Sequence, residues 1–208
     1  PRAPLGAALP LTAHPGWLRL TGQESLNSRH HVSLVARRQT EHEMTADTCM
    51  DFAPACPEQL AGLAYYYDAM NFYLLGKTCT EDGAAVLTLN GGGRVASTIG
   101  HAAAVLTLLR SDTGVIEEVC DPVPVPDGPL ELRLETTPDG RGAQFRWRAD
   151  GGDWADIGPV CTTEILTDEH CRGFTGAHVG LYAHDMAGLH GYADFDWLAV
   201  CCRRSEKG

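Results

Sequence analysis

A strict alternation of apolar and polar residues is the clearest pattern along the second half of the chain. At residues 130–135 every second position is Leu and the positions between are charged, and at residues 145–148 aromatics alternate with Arg. A period of two puts successive side chains on opposite faces of a strand, so one face is expected to be buried. Turn-forming residues at 137–140 and 150–153 predict hairpins, and Trp154 begins the return strand.

Further strands are predicted at residues 179–183 and 192–200, and earlier at residues 17–20, 32–38, 45–52 and 61–67. In the strand at 192–200 the alternation predicts one face of Ala193, Phe195, Trp197 and Ala199, and an opposite face of Asp194 and Asp196. Helical propensity is confined to a short run at 102–110 that lacks caps. Residues 91–93 and 122–126 are interpreted as loop tips.

Many short strands separated by turns indicate an all-β fold, an antiparallel β-sandwich. The length of 208 residues suits one sandwich domain, so residues 1–208 are expected to form a single domain. No repeat of fixed period is visible, which argues against a propeller or a solenoid.

The net charge of −11 argues against binding to nucleic acid, which needs clustered Lys and Arg. No apolar run reaches the roughly 18 residues that a membrane-spanning helix needs, so no membrane partner is expected. The chain begins Pro-Arg-Ala-Pro, without Met or a signal peptide, and is interpreted as a piece of something longer.

Eight cysteines occur at irregular spacing without a C-x-x-C pair, so free and mostly buried thiols are favoured over a zinc site. The cysteines leave the redox compartment open. A cytoplasmic location is slightly favoured over secretion.

Two groups of polar residues invite a chemical interpretation. Asp194 and Asp196 have a spacing that suits paired carboxylates, but a solvated strand face is favoured, followed by a structural calcium site, with catalysis last. The histidines at 30, 31, 184 and 190 could be imagined in a catalytic or metal group. No accompanying motif is present, so exposed loop histidines are the favoured interpretation.

Aromatic residues could form a platform for sugar rings, since pyranose C–H groups pack on aromatic faces. For each of them packing in the core is the favoured alternative. Within residues 65–67 the alternation places Tyr65 and Tyr67 on one side of a strand and Tyr66 on the other. The candidates are Tyr65, Tyr66, Tyr67, Phe72, Tyr73, Trp154 and Trp197.

Several segments, in order and over nearly the whole chain, together resemble a known family. They are Pro-Gly-Trp-Leu-Arg-Leu at 15–20 with Gly22, Ser25 and Leu26; residues 35–39; residues 59–63 with 65–67 and 71–73; residues 166–169; residues 173–177 with 179–181; and residues 192–196. This set is similar to the C-terminal concanavalin-like (jelly-roll) domain of family 43 β-xylosidases, also classified as carbohydrate-binding module family 91.

The resemblance implies a non-catalytic domain, because the family's catalytic carboxylates lie on a five-bladed propeller that this chain does not resemble. It also implies that the first strand of the sandwich is absent. A loop of the family's sandwich closes the xylose pocket with a Phe, which corresponds to Phe174; the alternative is a Phe packed in the core. Substrate contacts are predicted at Phe174, Thr175, Tyr65 and Tyr66. Residues 76–100 and His178 depart from the family pattern.

Three functions remain open at this point. The leading hypothesis is an accessory domain of a xylan-degrading β-xylosidase that packs on the catalytic propeller and completes its xylose pocket. The alternatives are an autonomous module that binds xylan or xylooligosaccharide, and a free-standing lectin-like or metal-dependent sandwich protein. No cofactor is predicted apart from the calcium alternative at Asp194 and Asp196, and the resemblance allows a homo-oligomer.

Overall fold

Two antiparallel β-sheets pack face to face in the computed structural model, which describes residues 14–80, 84–88, 94–98 and 103–203. Sheet A consists, in spatial order, of β1 (Leu18–Thr21), β15 (Tyr192–Arg203), β3 (Glu43–Asp51), β11 (Leu130–Thr136), β12 (Gly142–Ala149) and β13 (Ala155–Thr162). Sheet B consists of β10 (Val123–Pro124), β8 (Ala104–Asp112), β5 (Asn71–Cys79), β4 (Gln59–Asp68), β14 (His178–Asp185) and β2 (Ser33–Arg38), with β9 (Val115–Glu118) paired to β8.

Three smaller elements complete the described part of the chain. Strands β6 (Ala84–Thr88) and β7 (Arg94–Thr98) form a separate hairpin, and a 3-10 turn (Glu164–Leu166) precedes the one-turn helix α1 (Asp168–Cys171). In these ranges no helix is long and apolar enough to cross a bilayer. The predicted antiparallel β-sandwich is confirmed. The prediction that the first strand of the sandwich is missing concerns residues 1–13, which lie outside the described ranges.

Sheet A shows the alternation on which the sequence prediction depended. In β11 the three leucines are fully buried against sheet B, while Glu131, Arg133 and Glu135 lie on the outer face. The outer face pairs its charges across strands: Arg133 binds Asp47, and Arg148 binds Glu131 at 2.6 Å. Cross-strand pairs of opposite charge stabilise a sheet, and this face is mostly polar along β3, β11 and β12.

Sheet B is buried on both faces along its central strands. On β4 the inner face, which includes Tyr65 and Tyr67, packs in the core between the sheets, whereas Leu60, Ala64 and Tyr66 belong to a second apolar cluster on the outer face. The predicted opposite placement of Tyr66 and its two neighbours is therefore confirmed. Leu26, Val32 and Ile116 cover the outer cluster.

Two segments for which no strand was predicted contain strands, and the loop interpretation of residues 122–126 is wrong at 123–124. Residues 104–110, in the run whose helical propensity was short and without caps, form part of strand β8, because β5 and β10 flank it and its side chains are buried on both faces of sheet B. The proline-rich segment 122–126 contains the edge strand β10, where Pro is tolerated because one side of an edge strand needs no donors.

The predicted faces of β15 hold only at its beginning. Ala193 and Phe195 are buried, but a bulge between Phe195 and Trp197 shifts the register against β3. Leu198, Val200 and Cys202 then face the core, while Trp197 is 36% exposed. A bulge adds one residue to one strand and so exchanges its two faces, which an alternation count across residues 192–200 cannot anticipate.

His184 also differs from the sequence interpretation, which placed it in an exposed loop. It lies in β14 on the outer face of sheet B and is only 3% exposed, with Nδ1 at 2.8 Å from the Tyr182 hydroxyl. Burial lowers its pKa to about 4. The histidines at 30, 31 and 190 are exposed, as expected. Of the cysteines, Cys161 is buried, Cys201 is exposed and the other six are half-buried.

Candidate functional site: the Phe174 loop

Phe174 lies at the tip of the segment that joins α1 to β14, residues 172–177, which we call the Phe174 loop. Its side chain is 92% exposed, the largest exposure among the large apolar residues in the described ranges. Thr175 beside it is also exposed. The alternative of a Phe packed in the core is therefore wrong, because the ring lies outside the core in this structure.

The base of the loop is held by one carboxylate. The Tyr67 hydroxyl and the backbone N–H of Gly176 both donate to Asp168 Oδ1, at 2.6 and 3.1 Å. These donors, the Tyr67 hydroxyl first, lower the pKa of Asp168. The N–H of Gly173 donates to the backbone carbonyl of Asp168. Both ends of the loop are thus tied to the residue that begins α1.

Helix α1 sets the direction in which the chain enters the loop. Thr167 caps it, since its hydroxyl oxygen accepts from the N–H of His170 at 3.2 Å, and Arg172 ends it in a left-handed conformation at φ 54°. His170 Nε2 lies 2.9 Å from Asp112 Oδ1, which links α1 to the β8–β9 hairpin.

Two glycines are required by the shape of the loop. A Cβ on Gly173 would overlap the Tyr67 hydroxyl, so a larger residue would displace the loop from its anchor. Gly176 has φ +68°, a conformation that L side chains rarely adopt, and it lies against the guanidinium of Arg38. The Gly-Phe-Thr-Gly sequence therefore presents Phe174 on a constrained backbone.

Tyr65 supports the loop from the core. It is 2% exposed, and its hydroxyl donates to Gln39 Oε1 at 2.6 Å, while the N–H of Gln39 donates to the carbonyl of Ala177. Burial raises the pKa of the Tyr65 phenol far above its ordinary value. A ring in this position offers no face to a sugar, so the substrate contact predicted for Tyr65 has no support in the geometry.

Tyr66 lies nearer to the surface, on the outer face of sheet B. It is half-buried, packs on Phe72 with a ring-centroid distance of 6.4 Å, and pairs in register with His178, the first residue after the loop. Burial raises the pKa of Tyr66 and lowers that of His178. Its contact with substrate stays a prediction, and the structure places it beside the base of the loop.

Sequence analysis did not identify the residues that hold the loop. Arg38, Tyr67 and Asp168 belong to three separate segments, each among those that carried the family resemblance. The structure brings these segments together at one end of sheet B, since His178 pairs with both Arg38 and Tyr66. The sequence signal for these three residues is that each belongs to a segment that matches the family and that these segments meet at one loop.

The carboxylates considered for calcium do not form a cation site in the structure. Asp194 is buried, and its two oxygens accept from Arg19 at 2.7 Å each, with His14 Nδ1 at 3.0 Å from Oδ2. Arg19 first, and then His14, lower the pKa of Asp194. The solvated face favoured from sequence is therefore wrong for Asp194, while Asp196 is exposed. In the described ranges no three His, Cys, Asp or Glu residues cluster as metal ligands.

Exposed aromatics also occur on the outer face of sheet A, along β15. Tyr192 is 48% exposed, with the Arg19 guanidinium 3.6 Å from its ring centroid, and Trp197 is 36% exposed. Trp154 is more covered, since Arg133 and Arg148 lie over its ring at 4.1 and 4.5 Å. This surface is separate from the Phe174 loop, which lies at an end of sheet B.

Two antiparallel sheets packed face to face, in which many neighbouring strands are far apart in the sequence, form an all-β sandwich of the concanavalin type. A family model described as the β-xylosidase C-terminal concanavalin A-like domain matches residues 1–200. The chain belongs to that family, and the recognition made from the sequence is confirmed.

Known proteins with similar sequences are glycoside hydrolases. The chain is 37% identical over 198 residues to xylosidase/arabinosidase 43B of Humicola insolens, and 32% identical over 193 residues to xylan 1,3-β-xylosidase of a Vibrio species. These alignments cover 90% and 91% of this chain but 33% and 32% of the relatives. The chain thus spans about a third of their length.

A solved structure gives the same result. Xylan β-1,4-xylosidase of Bacillus halodurans superposes with a TM-score of 0.80 at 26% sequence identity, over 94% of this chain and 34% of that one. The similarity therefore covers nearly the whole of the present chain and one part of a larger enzyme.

Proposed function

We propose that this chain is the accessory domain of a xylan-degrading β-xylosidase, without hydrolytic activity of its own, and that it packs on a catalytic propeller and completes the xylose pocket with Phe174. The observation that carries the proposal is the combination of 92% exposure and a fixed loop. Exposure of a large apolar ring to water is unfavourable, and a partner surface or a ligand removes that cost.

The chemistry suits the edge of a sugar pocket. The ring of Phe174 offers an apolar face to the C–H groups of a pyranose and helps to exclude water from the bond that is cleaved. Thr175 is exposed beside it and supplies a hydroxyl to the same rim. The constrained backbone matters because a group that closes a pocket contributes most when it is already in place before substrate binds.

The test uses the full-length enzyme in which this domain is joined to its propeller. Phe174→Ala is expected to lower kcat/KM for xylobiose about tenfold, the effect of losing a small apolar contact in a pocket, with the same melting temperature. Leu189→Ala is the matched control, because Leu189 is 60% exposed in the turn after β14, at the far end of that strand. Unchanged kinetics for Phe174→Ala, or an equal loss in the control, would contradict the proposal.

A second candidate function is supported by the outer face of sheet A. Tyr192 and Trp197 offer exposed rings there, as an autonomous xylan-binding module requires. The isolated chain would then be retained on insoluble xylan and not on cellulose, and a Tyr192→Ala, Trp197→Ala double variant would pass through. Failure of a folded sample to bind xylan would contradict the autonomous binding module and leave the proposal that Phe174 completes the xylose pocket.

A further inference from the structure

A cavity opens between the two sheets at the end of the sandwich opposite the Phe174 loop. Its volume is about 780 Å³, which is in the range of small-molecule sites. Its walls come from the segments that follow β3 and β10 and from β5 and β8. They are mostly apolar, with Phe52, Pro54, Ala104, Val125 and Pro126, and the charged residues on the described part of the lining are Lys77 and Asp127.

Register places this cavity far from the proposed active-site edge. Lys77 pairs with Ala61 on β4, whereas the Phe174 loop ends beside Tyr66 on the same strand. Five residues of strand separate the two positions, a distance of about 17 Å. The inference that follows is therefore independent of the proposed function.

Lys77 is the unusual feature of the cavity. It continues the inward-facing series of Tyr73 and Leu75 on β5, so its side chain enters the space between the sheets, and it is only 1% exposed. Its Nζ donates to the backbone carbonyl of Gly128 at 3.1 Å. Among the described residues no carboxylate forms an ion pair with it within 4 Å.

A buried ammonium with one carbonyl partner is costly, because Lys is seldom fully buried unless its charge is paired. Burial lowers the pKa of Lys77, against the opposing attraction of Asp127 and Asp51. Asp127 is exposed at the rim, where solvent screens its charge. The lining of the cavity thus includes an ammonium group without a carboxylate partner among the described residues, and its apolar walls suit the C–H groups of a ligand.

We propose that this cavity binds a carboxylate-bearing molecule of monosaccharide size, with the carboxylate paired to Lys77 and the remainder packed on the apolar walls. A carboxylate accepts a charge-assisted hydrogen bond from the ammonium, which is stronger than a bond from a neutral hydroxyl. A neutral sugar of the same ring would gain the apolar contact but not the ion pair.

The chain is well suited to a direct test, since Lys77 and Lys207 are its only lysines. Selective ¹³C labelling at the lysine Cε gives two resonances, of which Lys207 is an internal control. D-glucuronate is titrated against D-glucose, which differs from it in lacking the carboxylate. We expect glucuronate to shift the Lys77 resonance in a saturable way and to raise its measured pKa, with no comparable effect of glucose and none on Lys207.

The affinity of two variants for glucuronate tests whether the ion pair with Lys77 contributes to binding. Lys77→Met removes the ammonium group but keeps an unbranched side chain only one atom shorter, and it is expected to weaken binding about tenfold or more. Asp127→Asn removes a negative charge at the rim that repels the ligand carboxylate, and it is expected to tighten binding slightly. If Lys77→Met does not fold, the titration of the labelled unchanged chain still decides.

Three results would overturn the inference. One is a Lys77 resonance that does not respond to glucuronate. Another is equal binding of glucose, which would exclude the ion pair as the source of affinity. The third is a ligand-free pKa of Lys77 at or above its ordinary 10.5, which would mean that a carboxylate of this chain already pairs with it.

Discussion

Acidification below pH 6.5 is expected to destabilise the protein through His184. The imidazole is buried in β14, where Nδ1 has the Tyr182 hydroxyl as partner and Nε2 has no hydrogen-bond partner among the described residues. Protonation would place an uncompensated cation under the outer cluster of sheet B. Burial is the main cause of the lowered pKa, and the nearby charge of Asp185 opposes it.

The magnitude follows from the two pKa values. The folded-state pKa is about 4 and the ordinary value is 6.5, a difference worth roughly 3 kcal/mol at 1.36 kcal/mol per unit of pKa. The sign follows from which state binds the proton more readily. Above pH 6.5 His184 is neutral in both the folded and the unfolded state, and its full contribution to the free energy of unfolding is present. Between pH 6.5 and 4 only the unfolded state binds the proton, so the free energy of unfolding decreases as the pH is lowered.

Urea unfolding at a series of pH values between 7.5 and 4.5 measures this loss. His184→Asn keeps an amide group near the position of Nδ1, so it is expected to be less stable at pH 7 but to lack most of the decline. His178, whose pKa burial also lowers, acts in the same direction, and His178→Asn is measured in parallel. A decline of the same size in His184→Asn as in the unchanged protein would refute the assignment to His184.

Two other predictions concern the loop and the Arg19–Asp194 pair. Gly173→Ala is expected to displace the Phe174 loop, because the added methyl overlaps the Tyr67 hydroxyl, and to lower kcat/KM of the full-length enzyme at least as much as Phe174→Ala; kinetics at wild-type level would contradict it. Asp194→Asn is expected to cost about 2 kcal/mol in urea unfolding, since it leaves Arg19 without its bidentate partner. Neither calcium nor a chelator should change the melting temperature, and a rise with calcium would restore the calcium interpretation.

Much of the fold could be predicted because the signal is local. The alternation at residues 130–135 and the turn at 150–153 correspond to β11 and to the β12–β13 hairpin, where Asp150 and Gly151 have positive φ. Strand β8 could not be predicted in this way, since it is buried on both faces and so has no alternation to read.

The site shows the same division. Phe174 was identified from a short Gly-Phe-Thr-Gly segment and its family resemblance, but its exposure and its anchor on Asp168 and Tyr67 depend on strands far apart in the chain. The same is true of Asp194: the alternation of residues in β15 predicts a solvated side chain, but Arg19 on the neighbouring strand β1 binds it.

The sequence by itself therefore determined the class of fold, most of its strands, the family and the loop that carries Phe174, because periodicity and short motifs are properties of neighbouring residues. Only the tertiary structure decided which charges are paired, which face of β15 is buried after its bulge, and that Lys77 and His184 lie inside the protein. These depend on which strands pair and which sheets pack, and such contacts join residues that no local pattern relates.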